Sequence, residues 1–140
     1  MILRAVLGMI LILRGLIHLL GFVVYLRLAT IGTLPYSTVL LFGALEVGEA
    51  GARIYGFPWG LVAVGFVVAG VAVFALLPWW WALILWVTLL SLVLTVLGLP
   101  DSWFGVVLNV LILAYLLAGG RMVGYPSAPA GLAPSKGGRR

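Results

Sequence analysis

The chain has 140 residues, of which 65% are hydrophobic and 8% charged, with a net charge of +5. A soluble domain carries about 25% charged residues, so this composition leaves too little polar surface for one and points to a membrane protein. There is no cysteine and a single histidine, which excludes disulfides, thiolate chemistry, cysteine-ligated metals and bis-histidine haem within one chain. In such a chain the basic excess reads as topology and not as nucleic-acid binding.

The expected fold class is all-α: an integral membrane helical bundle of five segments, alternatively four. The first apolar segment, residues 2–26, is too long for a signal-peptide core and lacks a small-residue cleavage site, so it reads as a retained span. Residues 27–37 form a connector broken by Gly32 and Pro35. A second span is expected over 38–55, ended by Gly56-Phe57-Pro58, because proline cannot donate into a helix interior. A third covers 59–77 and stops at Pro78; it carries no polar side chain except the indole of Trp59. A fourth covers 79–98. Leu99-Pro100-Asp101-Ser102 makes a turn whose Asp101 or Ser102 can cap the fifth span, 103–119. Each run approaches the roughly 20 residues needed to cross about 30 Å of hydrocarbon. The bundle thus occupies residues 1–119. The remainder, 120–140, reads as a flexible tail whose Arg121, Lys136, Arg139 and Arg140 place it on the cytoplasmic side of the cell membrane. Trp59, Trp79 to Trp81 and Trp103 stand at segment ends, as an interfacial aromatic belt requires.

Ionisable groups inside these runs carry the functional information. At 100° per residue, Glu46, Glu49 and Arg53 share one face of the second span. Ala44, Gly48 and Ala52 form a small-residue stripe opposite, which permits close helix approach. Glu49 and Arg53 have the i, i+4 spacing of a structural ion pair. Glu46 has no partner in its own segment. If the first two spans are antiparallel, Arg14 stands at its depth, with His18 one turn further along. An ionised residue mid-membrane costs at least about 2.5–3.5 kcal/mol, so Arg14 and Glu46 are expected to pair. Asn109 lies mid-way along the last span and needs an interhelical partner. Thr88, Ser91 and Thr95 line one face of the fourth span and are expected to bond mainly to their own backbone.

Arg14, His18, Glu46, Glu49 and Asn109 are accordingly the candidate ligand or proton site. No catalytic residue and no metal site is expected, since no nucleophile–base pair is visible and Arg14 would repel a metal placed between His18 and the two glutamates.

The run Leu13-Arg14-Gly15-Leu16-Ile17-His18-Leu19-Leu20-Gly21-Phe22, the later Ala44-Leu45-Glu46-Val47-Gly48, Tyr55-Gly56-Phe57-Pro58, and the closing Trp103-Phe104-Gly105-Val106-Val107-Leu108-Asn109 resemble the DoxX-like family of small membrane proteins. Glu46 would correspond to the glutamate of that family's second span. The resemblance implies a helical bundle, in some members an accessory or quinone-associated membrane subunit.

Three functions follow as expectations. The first is a non-enzymatic accessory subunit or self-associating bundle, partnered by the bilayer and by other membrane subunits or its own copies. The second is a quinone- or lipid-binding subunit of a redox complex. The third is a proton-coupled transporter working through Glu46.

Overall fold

The computed structural model describes residues 2–32 and 34–118. The expected flexible tail, 120–140, lies outside them. Four helices are described: α1 (Ile2–Tyr25), α2 (Gly48–Phe74), α3 (Trp80–Leu97) and α4 (Trp103–Leu117). Two short strands, β1 (Val39–Leu40) and β2 (Leu45–Glu46), interrupt them between α1 and α2. α1, α2 and α3 are long and apolar enough to cross a membrane, while α4 is shorter. At 1.5 Å per residue α2 is about 40 Å long and α4 about 22 Å.

The helical architecture stands, with three helices long and apolar enough to cross a membrane, but five spans are not supported, for two local reasons. The first lies in the segment expected as span two. Thr38 to Val47 is not helical. It folds as an antiparallel hairpin in which Val39 pairs with Glu46 and Leu40 with Leu45. Leu41, Phe42 and Gly43 at its tip have φ of 52°, 55° and 89°, the left-handed region, and Gly48 has φ of 66°. Right-handed helix cannot propagate back through such residues. The tip is held there by two backbone bonds to the α3–α4 turn: Leu41 N–H donates to Leu97 O and Phe42 N–H to Leu99 O, both at 2.9 Å. Those bonds satisfy the last carbonyl of α3, which the helix itself cannot, and one in the turn beyond it.

The second reason is Pro58, which lies inside α2 and does not end it. The expected spans two and three therefore merge C-terminal to Gly48. Proline removes one hydrogen bond, but a break here would release several backbone groups into hydrocarbon. Packing on α1 also favours continuity. A Cβ on Gly56 would come within 2.8 Å of Tyr25 Cβ, and one on Gly60 would strike the Phe22 ring.

The α1–α2 pair is the most extensive helix contact in the molecule. It depends on glycine. A Cβ on Gly15 would lie 2.7 Å from the Ala63 carbonyl oxygen, and one on Gly70 would lie 2.8 Å from the Gly8 carbonyl oxygen. Backbone meets backbone at both points, the close approach that small residues allow in membranes. α3 packs on α2 and α4 on α3. α1 and α4 make no comparable contact, so a groove runs between them.

The tryptophans divide. Trp79 and Trp103 are exposed, as a belt predicts, whereas Trp59 and Trp80 are core residues.

Candidate functional site

Arg14 and His18 lie one turn apart at mid-length in α1, on the face turned to the other helices. The buried residues of α1 recur at Leu11, Arg14, Gly15, His18 and Gly21, a helical stripe. Arg14 is 3% and His18 2% exposed. Facing them, α3 supplies Ser91 and Thr95 and α4 supplies Asn109, all buried.

These groups form one connected node. Arg14 Nη2 donates to Asn109 Oδ1 at 2.5 Å, to the Gly105 carbonyl at 3.0 Å and, weakly, to Ser91 Oγ at 3.4 Å. His18 Nδ1 lies 2.9 Å from the Arg14 carbonyl oxygen. A carbonyl only accepts, so Nδ1 carries a proton. His18 Nε2 lies 2.7 Å from Ser91 Oγ. With Ser91 accepting from Arg14, its own proton is directed at Nε2. Asn109 Nδ2 donates to Thr95 Oγ1 at 3.1 Å, and the Thr95 hydroxyl donates to the Ser91 carbonyl at 2.9 Å. Three helices are thus tied together by side chains that carry only one formal charge, that of Arg14.

Aromatic rings close the node on the α2 side. The His18 ring lies 5.2 Å from Trp59 and 5.4 Å from Phe66, centroid to centroid. The Arg14 guanidinium carbon is 5.4 Å from the Phe66 centroid, within cation–π range. Tyr25, Tyr55 and Trp59 continue the aromatic stack toward the hairpin, and the Tyr55 hydroxyl donates to the Leu94 carbonyl.

The structure brings together three of the five expected site residues, Arg14, His18 and Asn109, and not the two glutamates. Glu46 is exposed on β2, because the left-handed turn carries its segment out of the bundle. The expected Arg14–Glu46 pair is absent: among the described residues no carboxylate lies within hydrogen-bond reach of Arg14. Glu49, also exposed, bonds to Arg27 at 2.9 Å instead of Arg53. The first turn of α2 brings Glu49 beside the end of α1, where Arg27 also lies 4.4 Å over the Tyr36 ring. The hydrogen bond that Arg27 donates to Glu49 raises the Arg27 pKa above its ordinary value.

Ser91 and the Gly105 carbonyl are site groups beyond those expected. Thr95 bonds to backbone as its stripe predicts, while Ser91 turns to Arg14 and His18. The buried Thr88 hydroxyl has no partner among the described residues. No group of three metal-ligating side chains occurs among them either.

Arg14 has a second aspect. All three of its protein hydrogen bonds leave from Nη2, which has only two protons, and its buried Nε has no partner among the described residues. Arg14 also lines the groove between α1 and α4, an open, strongly apolar channel of about 420 Å³. Ile10, Leu13 and Ile17 form one wall, and Leu108, Leu111 and Ile112 the other.

Fold and node together describe a small helical bundle, three of whose helices are long and apolar enough to cross a membrane, with a buried cationic centre beside a groove. Comparison with protein-family models, curated proteins and solved structures finds no match for the chain.

Proposed function

We propose that this chain is a non-catalytic membrane protein that holds a lipid-soluble amphiphile in the α1–α4 groove, with the ligand's polar head at Arg14. One observation carries the reading. A guanidinium with five donors is buried among neutral acceptors, uses one nitrogen for all of them, and borders an apolar groove. A few convergent polar groups in an apolar cleft of some 300–1,000 Å³ are the usual form of a small-ligand site. Ser91, His18 and Asn109 fix the orientation of Arg14, and the aromatic rings exclude water from its far side. A quinone or another lipid is the ligand class this suits, which agrees with the DoxX-like resemblance. The basic residues of 121–140 support a cytoplasmic C-terminus.

The test is extraction. Protein purified from its native membrane in mild detergent should release a lipid-soluble compound in about molar proportion. Leu111→Trp, which fills the groove from an exposed α4 position, should lose it. Equal lipid content in both proteins would refute the reading.

A second reading, an accessory or self-associating subunit, has its own support. Leu61, Val64, Val68 and Val71 form an exposed stripe along α2 at spacings of three and four, a face suited to another helix or to lipid. The proton-coupled transporter loses its support, since its acid, Glu46, lies outside the bundle.

A further inference from the structure

We infer that the head recognised at Arg14 is a carboxylate on a single-chain amphiphile, an inference that rests on the ligand-binding reading above. The first argument is charge. Arg14 carries a formal positive charge, and every acceptor it reaches among the described residues is neutral: an amide oxygen, a carbonyl and a hydroxyl. A buried cation is held far better by an anion than by neutral dipoles, and a planar guanidinium matches the two oxygens of a carboxylate. All its hydrogen bonds among the described residues leave from Nη2, so the guanidinium keeps donors that such an oxygen could take.

The second argument is depth. Arg14 lies 12 residues after the start of α1 and 11 before its end, or roughly 17–18 Å from either. A phospholipid phosphate stays in the headgroup layer and does not reach that level. A fatty carboxylate can be drawn down if a cation receives it. The third argument is shape. The groove is one channel between two helix faces, apolar along both walls. At about 420 Å³ it would hold about one turn of a helix 10 Å across, whereas an alkyl chain can lie along it.

The experiment uses the full chain in nanodiscs of phosphatidylcholine. Hexadecanoate, hexadecanol, methyl hexadecanoate and a short-chain quinone are titrated, and binding is read by native mass spectrometry and by Trp fluorescence. Hexadecanoate should bind at least about tenfold more tightly than the alcohol, the ester or the quinone, as a charge-assisted bond implies. Arg14→Gln should erase that preference while alkyl binding persists. The acid-to-ester ratio in the unaltered protein tests the inference even if Arg14→Gln fails to fold.

Equal binding of acid and ester, or preference for the quinone, with all binding lost in Leu111→Trp, would overturn the carboxylate and leave the groove reading standing. No binding of any probe, or binding indifferent to Leu111→Trp, would overturn both. A co-purifying membrane protein released by Arg14→Gln, with no acid preference in the titration, would assign the cation to a partner's carboxylate and also overturn the inference.

Discussion

Asn109→Ala should be among the costliest single truncations in the bundle, and its magnitude can be worked from the node. Asn109 is fully buried and makes two side-chain bonds, one accepted from Arg14 at 2.5 Å and one donated to Thr95 at 3.1 Å. The first involves a charged partner and is worth about 1.5–3 kcal/mol. The second joins neutral groups between membrane helices, where the average is about 0.6 kcal/mol. The expected loss is therefore about 2–3.5 kcal/mol. Removing Asn109 alone strands part of a buried cation, so removing Arg14 as well should recover stability. In a double-mutant cycle with Arg14→Met and Asn109→Leu, the pair should cost less than the sum of the singles by about 1–3 kcal/mol. Reversible SDS titration in mixed micelles, followed by fluorescence of the six tryptophans, measures each corner. A loss below about 0.5 kcal/mol for Asn109→Ala, or singles that add within that margin, would show that the two side chains are not energetically coupled.

Other outcomes follow from the same geometry. Asn109→Asp places a carboxylate on Arg14 from within, so it should leave the fold intact and abolish any preference for an acidic amphiphile; competition binding with hexadecanoate checks this. Gly15→Ala forces a methyl against the Ala63 carbonyl and the backbone of Val67, and should cost about 1–3 kcal/mol in the same titration. Glu46→Gln should change stability by less than about 0.5 kcal/mol, because the side chain is exposed and pairs with nothing deep in the bundle. Arg27→Ala removes a solvent-screened ion pair and should have a small effect that shrinks as salt is added. The raised Arg27 pKa makes that contribution complete throughout the neutral range and lost only in strong alkali. Salt, not pH, is therefore the useful probe.

The residues that matter most were visible in the chain because they violate its composition. Arg14, His18 and Asn109 stand inside apolar runs, and each is buried at the node. Their partners were less legible. Charge complementarity favoured Glu46, but charge says nothing about whether the intervening backbone stays helical. That was decided at Leu41 and Phe42, whose left-handed conformation depends on carbonyls of Leu97 and Leu99. Contacts between residues more than fifty positions apart leave no local pattern. Pro58 misled for a related reason: its local preference is to end a helix, and packing along α1 overrides it. Ser91 could be suspected from its stripe with Thr88 and Thr95, yet only the position of α1 tells which hydroxyl leaves its own backbone for Arg14.

The hairpin tip has a bearing on how this molecule sits in its surroundings. Non-helical backbone is normally confined to water or to protein, because bare amides are intolerable in oil. Leu41 and Phe42 spend theirs on the end of α3 and the turn after it, and Phe42 turns an exposed ring outward. A loop so provisioned can sink beneath the headgroups and lie among the upper acyl carbons.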